Sequence, residues 1–515
     1  TYTAQMVRYL RAIGHTGRMY IPDRFTEGYG PNPAAMLKLR EEGATLCLMG
    51  DCGTAAVDKV LEDGTVVPSP IKVAQDSGMD VLIFDHHSPE AALPPAYAIV
   101  NPKRLDERSP HTMLAACGVG FMFLVGLNRA LRENGFFRGK DEENSNKPQE
   151  PDLRKLLAIT ALGTVADVVP LVGVNRLLVH YGLSELNKYE IPGIAALCEV
   201  CGFSREDMER KGRKIEAQDI AFFLGPRLNA AGRIDRARTS AELLSTDNIT
   251  QAQDHALATD SINKARQGIE REIVQQAMPA AEAQVEAGSP IIIVAHKDWN
   301  PGVIGIAASR LKEKFDRPAI VIGCHEGSWK GSGRSIPGID IGAAVMAAKQ
   351  KHILLAGGGH PMACGLGVEE GRIEEFREFM AEQLAPKLAA LPKHATYHID
   401  AVLNPASVTE TLIRQQARLA PFGQGNPEPL YLLNEVQVKF AAVAGETGDH
   451  VRCTFTKNGT DIGGIAFRSA NEPHGQALLD SISSGRSLHV IGTADLNTFN
   501  GRTKPQFKVI DVALA

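Results

Sequence analysis

The chain has 515 residues, 44% of them apolar and 22% charged, with a formal net charge of −5. That length calls for about three domains, since one domain usually holds roughly 100–200 residues. No run approaches the ~18 apolar residues of a membrane-spanning helix, eight cysteines are too few for a disulfide framework, and the acidic balance leaves any polyanion site to local basic residues or bound cations. No signal peptide is visible, so the cytoplasm is the expected compartment. Cys198 and Cys201 have CxxC spacing, but no second pair accompanies them, and two packed helix thiols are expected rather than zinc.

"TYTAQMVRYLRAIG" repeats Met6, Tyr9, Leu10 and Ile13 at helical spacing, with Gly14 to end the helix. Two β-type runs follow. "TLCLMG" precedes Asp51 and "DVLIF" precedes Asp85, with a helix "PIKVAQDSG" between them. Strands alternating with helices predict a parallel sheet, whose ligands gather beyond the carboxyl ends of the strands. Helical patterns fill roughly 110–230, with Asp167 following the apolar run "RKLLAITALGTVA". The stretch from Thr250 to about Ala287 predicts one or two connecting helices. A second α/β unit opens at "SPIIIVAH", and "LAALPKHA" reads as a linker. The last ~120 residues show several short strand patterns and one helix, "VTETLIRQQARLA", with turns at Asn458-Gly459 and Asn500-Gly501. That pattern fits a small barrel.

Imidazole and carboxylate together suit Mn²⁺, Fe, Zn²⁺ or Co²⁺. "FDHH" ends a buried strand in such groups, although a turn with two solvated histidines would give the same string. Asp51 ends another strand in "MGDCG", and Asp167 stands in the apolar "GTVADVVPL". A lone buried aspartate is costly unless paired or metal-bound; a helix N-cap is its plainer role. Three such positions in one α/β half point to a mixed Asp/His metal site. Two anion-binding stretches accompany it. "GPRLNAAGRIDRAR" carries Arg227, Asn229, Arg233, Arg236 and Arg238, and "KGSGRS" places Lys330, Ser332, Arg334 and Ser335 on what reads as a glycine-rich loop. For each, a solvated turn is the alternative.

In this order, "DCG", "FDHH", "GTVADVVPL", "GPRLNAAGR" and "GGGHPMACG" resemble the DHH phosphoesterase superfamily, and within it the RecJ single-strand-DNA 5′→3′ exonucleases. "IPDRFTEGYG", "KGSGRSIPG" and "PFGQGNPEP" extend the resemblance over essentially the whole chain. It implies a parallel-sheet DHH domain (1–245), a connecting helix (246–288), a DHHA1-type substrate-binding α/β domain (289–390) and an OB-fold β-barrel that binds single strands (391–515). Asp51 is then expected to bridge two divalent ions, Mn²⁺ or alternatively Mg²⁺, with His86 and Asp167 ligating one each. Asp85 supports the loop or a ligand, and His87 faces the scissile phosphate. Arg24, Ser332 and Arg334 resemble residues that hold a 5′-terminal phosphate, with Arg227, Asn229, Arg233 and His360 lining the channel. Trp299 packs or stacks in a loop facing the cleft. In the barrel, Phe499, Arg502, Lys504 and Phe507 are candidate strand contacts, with packing in the strand core the alternative for the two Phe residues.

The resemblance also implies an Asp-x-Asp motif upstream of the opening helix, with further metal ligands. The expectation is that a chain beginning at Thr1 cleaves slowly or not at all, and that the chain with that segment restored is active; equal Mn²⁺-dependent rates would refute this. The expected partners are single-stranded DNA with a 5′ end, single-strand-binding protein and a recombination helicase, with no membrane, and the chain is expected to be a monomer. Two other readings share the motifs: a phosphodiesterase for nanoRNA or cyclic dinucleotides, and a non-catalytic DNA-binding scaffold.

Overall fold

A computed structural model describes residues 1–23, 27–28, 30–60, 63–139, 146–234, 237–392, 396–499 and 502–515, the side chain of residue 499 excepted. In the first domain the opening helix, Tyr2–Ala12, turns Tyr2, Met6 and Tyr9 inward, and the Tyr2 ring stacks on Phe84 at 5.6 Å. Strands β1 (Leu46–Gly50), β4 (Asp80–Phe84) and β5 (Ala98–Val100) form a parallel sheet in the order β1-β4-β5. A two-stranded ribbon, β2 (Lys59–Val60) with β3 (Val66–Val67), lies between β1 and β4 in sequence. The central strand β4 buries Val81, Ile83 and Phe84, as parallel strands covered on both faces do. Helix Pro70–Asp76 starts on a Ser69 cap. Helix Leu157–Ala166 is buried from Ala158 to Val165, so it is enclosed on all sides, and its Thr160 hydroxyl is met by the Gln5 amide.

One continuous helix, Ile249–Glu286, spans the connecting stretch and passes through Pro279. It belongs to two cores: Ala252 and Ala256 pack in the first domain, and Ile273, Ala277 and Ala281 in the second. The second domain's sheet comprises β6 (Ile292–His296), β7 (Ala319–His325), β8 (Ser328–Arg334), β9 (Ala356–His360) and β10 (Ala363–Val368), in the order β6-β7-β8-β10-β9. The "KGSGRS" stretch is therefore strand rather than the expected loop. Gly331 and Gly333 face the core, where a Cβ would lie 2.7 Å from Leu366 and 2.5 Å from Cys364. "GGGHPMACG" forms the β9–β10 hairpin.

The third domain has β11 (Ala401–Leu403), β12 (Tyr431–Ala444), β13 (His450–Lys457), β14 (Thr460–Ala466), β15 (Leu488–Phe499) and β16 (Arg502–Leu514). Pairing runs β12-β13-β14-β16-β15 and returns to β12, closing a five-stranded barrel. Asn458 and Gly459, both at positive φ, turn β13 into β14; the Asn500-Gly501 turn lies outside the described residues. Several strands are longer than their sequence pattern implied. A helix the pattern did not reveal, Pro473–Ser484, buries Leu478 in the barrel core. Phe507 is fully buried there as well, so it supplies packing and not the expected stacking surface. The barrel docks on the first domain through "PFGQGNPEP". Leu171 N–H donates to the Gln424 carbonyl at 2.6 Å, and Arg176 donates to the Leu419 carbonyl at 2.8 Å. The loop just after Asp167 is thereby held by the barrel.

Candidate functional site

Three irregular segments bring the Asp/His groups together. Asp51 follows β1 at φ 64°, a region Asp tolerates better than most residues. Its N–H donates to the Phe84 carbonyl at 2.9 Å, so the residue continues the β1–β4 ladder while its carboxylate stands beyond the strand tip. Gly50 permits this approach, because a Cβ there would overlap the Tyr2 ring at 1.8 Å. Beyond β4, Asp85 is buried and its carboxylate accepts from the Thr54, His86 and His87 amides. It also bonds His87 Nδ1 at 2.7 Å. Burial opposes ionisation, but the His87 bond and the Thr54 and His86 donors prevail and hold the Asp85 carboxyl well below its usual range. The same bond to Asp85 raises the His87 pKa.

Asp167 caps the carboxyl end of helix Leu157–Ala166, the opposite end from an N-cap. Buried His86 stands between the two acids, with Nε2 3.2 Å from Asp51 Oδ1 and 3.3 Å from Asp167 Oδ2. Neither contact has hydrogen-bond geometry, and both ring nitrogens of His86 lack a hydrogen-bond partner. Buried polar atoms are rarely left so. Asp51, His86 and His87 each offer a ligand atom, all within 4.8 Å of one another. Desolvation and the Asp51 charge push the Asp167 carboxyl above the usual range, against the pull of His86. Two carboxylates and an imidazole converging without hydrogen bonds are a donor set that fits a divalent cation. Asp51, His86 and Asp167 would hold it.

Donors gather in the second domain. Alternation along β8 puts Lys330, Ser332 and Arg334 on the face opposite the two core-facing glycines. Arg334 Nη1 donates to Ser332 Oγ at 3.3 Å, and burial lowers the guanidinium pKa from its ordinary value. The first turn of helix Ile304–Phe315 comes against them: a Cβ on Gly305 would lie 2.8 Å from Ser332 Oγ and 3.2 Å from Arg334 Nη2. Arg334 pairs across the sheet with Ala363, which pairs with His360. Exposed His360 therefore belongs to the same row, two strands or roughly 10 Å away.

Models of three families match the chain in order: the DHH family N-terminal domain at residues 1–164, the DHHA1 domain at 288–385 and the RecJ OB domain at 399–511. The single-stranded-DNA-specific exonuclease RecJ of Dickeya dadantii is 34% identical over 99% of the chain and 84% of its own length. The chain belongs to the RecJ family. RecJ of Escherichia coli is 33% identical over 99% of the chain and 84% of its own length. RecJ of Bacillus subtilis is 32% identical over the whole chain, which spans 60% of that relative's length. The crystal structure of Thermus thermophilus RecJ in complex with Mn²⁺ superposes with a TM-score of 0.76 at 27% identity, covering 99% of this chain and 66% of that one. A manganese-bound exonuclease RecJ structure matches with a TM-score of 0.56 at 28% identity, over 76% of this chain and 87% of that one.

Against this RecJ framework, the other candidates fall into place unevenly. Arg227 lies on helix Gly225–Ile234, not in a loop, and is bonded to Asp260 of the connecting helix at 2.8 Å. Asn229 is exposed on the same helix. Arg233 donates to the Gly302 carbonyl of the second domain at 3.4 Å. Trp299 is buried and donates to Gln276 at 2.7 Å, so it packs rather than stacks on a ligand. Arg502 and Lys504 are exposed on β16. Arg24, Arg236 and the Phe499 side chain lie outside the described residues. Sequence reasoning missed Asn101. It is buried beyond β5 and donates to Thr54 Oγ1 at 3.0 Å and to the His87 carbonyl at 2.9 Å, tying the loops after β1 and β4 together. A polar residue directly after a strand, as in Asp51 and Asp85, was the available signal.

Proposed function

We propose that this chain is the working body of a divalent-metal-dependent exonuclease that removes mononucleotides from the 5′ end of single-stranded DNA. The observation that carries this is the meeting of Asp51, Asp167 and partnerless His86. Mn²⁺ would be the preferred ion and Mg²⁺ a substitute, and Asp51, His86 and Asp167 would hold two ions in the working enzyme. When bound, the ions supply Lewis-acid stabilisation of charge on the phosphoryl oxygens. The side chains do the rest. His87 uses Nδ1 for Asp85, which leaves Nε2 turned outward and protonated over a wider pH range, able to donate toward a phosphate oxygen. Ser332 and Arg334 hold the 5′-terminal phosphate, joined by Arg24, and so set polarity by fixing which phosphodiester lies at the centre. Arg227, Asn229, Arg233 and His360 line the strand's path, while Arg502, Lys504 and Phe499 engage it on the barrel.

A docked barrel favours a long strand over a dinucleotide. We infer a cytoplasmic monomer working with single-strand-binding protein and a recombination helicase. Among the described residues no helix is long and apolar enough to cross a membrane. The test is a 5′-phosphorylated single strand offered beside its duplex and a dinucleotide. Metal-dependent release of 5′ mononucleotides from the single strand alone is expected; turnover of the dinucleotide alone would overturn the reading.

A further inference from the structure

The helix that carries Asn229 and Arg233 does not start as an α-helix. Ile220–Leu224 forms a π-helical turn that runs directly into Gly225–Ile234. Single π turns recur at functional positions, because the wider turn frees a carbonyl and re-aims side chains. This one is held firmly. The freed Phe223 carbonyl accepts from Arg227 Nη1 at 3.0 Å and from Cys201 Sγ at 3.8 Å. Arg227 is anchored to Asp260, and the Phe223 ring packs edge-on against Phe203 at 5.1 Å. The neighbouring ring, Phe222, makes no ring contact among the described residues and is 73% exposed.

Its surroundings give that exposure a use. Gly225, three residues on, presses against the end of helix Leu157–Ala166: a Cβ there would lie 3.3 Å from Ala166 Cβ. Ala166 directly precedes Asp167. Phe222 thus stands about one helical turn, roughly 5 Å along the axis, from backbone that touches the rim of the metal centre. Seven and eleven residues further, and so near the same helix face, are exposed Asn229 and half-buried Arg233, the latter reaching the second domain. A ring, an amide and a guanidinium in line are the parts of a single-strand track: a flat apolar surface for a base and donors for the backbone. A protein-docking surface would call for a broad apolar patch instead.

We propose that Phe222 is a stacking platform for a base of the single strand, positioning the nucleotide beside Asp51, His86 and Asp167. The inference rests on the exonuclease reading above and adds the residue that grips the base. Phe222 is a positioning residue: it acts by placing the strand, not by touching the reacting atoms. Stacking on an aromatic ring tolerates any base, which suits an enzyme that degrades every sequence.

The test compares the full-length natural protein with its Phe222→Ala and Phe222→Trp variants on a 5′-phosphorylated oligonucleotide, and on the same strand with abasic sites near its 5′ end. Phe222→Ala is expected to raise KM about tenfold and to change kcat much less, and Phe222→Trp to restore KM. Under chelation, which blocks cleavage, fluorescence of Phe222→Trp beyond the background of the unsubstituted protein, to which Trp299 and Trp329 contribute, is expected to be quenched by the normal strand and not by the abasic one. An unchanged KM in Phe222→Ala, no rescue by Trp, or equal quenching by both strands would overturn the proposal while leaving the exonuclease reading intact. If the full-length natural protein neither bound nor cleaved the strand, the underlying reading would fall and this proposal with it.

Discussion

The first domain gathers acceptors and the second gathers donors. Beyond the tips of β1 and β4, Asp51 and His86 crowd against Asp167 of a helix end with no hydrogen bond between them. On β8, Ser332 and Arg334 meet the first turn of a helix. The acceptor site is built from irregular backbone: a left-handed aspartate, a loop cross-tied by Asp85 and Asn101, and a helix end. The donor site is built from regular structure, with strand alternation aiming every second side chain. A cation-shaped hollow needs lone pairs from several directions, which only broken elements supply. A phosphate needs parallel donors, which a strand and a helix start provide.

The sharpest way to break the comparison is to remove one acceptor. Asp51→Ala is expected to cut cleavage about a thousandfold or more, with only a modest fall in Tm, because its side chain is 57% exposed and the loss is confined to the left-handed backbone that Asp holds better than Ala. Steady-state rates and a melting curve on the same sample check both. On the donor side the loss is expected to be smaller and selective. Arg334→Ala should lower the preference for a 5′-phosphate over a 5′-hydroxyl strand by about 10- to 100-fold, leaving the 5′-hydroxyl strand nearly unaffected. Gly305→Val should mimic it at about tenfold, since the new side chain meets Ser332 and Arg334; equal losses on both strands would indicate general damage to the fold instead.

Asn101→Ala should destabilise the first domain by about 1–3 kcal/mol, the range for stranding buried partners, and weaken Mn²⁺ binding by calorimetry. The smallest effect lies at the barrel seam. Burial pushes the Glu428 carboxyl pKa up; Lys508 opposes the shift, and Asp495 and Glu216 add to it. Its folded pKa is therefore above the unfolded one, and its contribution is present at low pH and lost as pH rises through the folded value. Glu428→Gln should accordingly raise Tm slightly at pH 7 and leave it unchanged near pH 4.

The placing of the candidate ligands was largely legible because an acid directly after an apolar run marks a strand tip. Asp51 and Asp85 stand at strand ends as that signal implies, although nothing local showed that Asp167 would cap the far end of its helix. Asn101 carried the same signal and was passed over, since its partners are 47 and 14 residues away in sequence. The "KGSGRS" strand read as a loop because glycine usually marks turns; here Gly331 and Gly333 are small to admit Leu366 and Cys364 from across the sheet. Period-two alternation was present throughout but masked by side chains too small to show it. Phe507 looked like a stacking ring because its polar neighbours were visible and barrel closure was not. The π turn at "IAFFL" left no sequence trace, being an apolar run like many helix segments.

The central claim is that the Asp/His centre and the Ser/Arg cradle serve one strand end. Products released from a 5′-phosphorylated single strand by the full-length natural protein test it most directly, with Mn²⁺ or chelator and with Asp51→Ala or Arg334→Ala. The account predicts 5′ mononucleotides released in order from the 5′ end in Mn²⁺, none with chelator or Asp51→Ala, and a lost 5′-phosphate preference with Arg334→Ala. Release from the 3′ end, or chelator-insensitive cleavage, would contradict it.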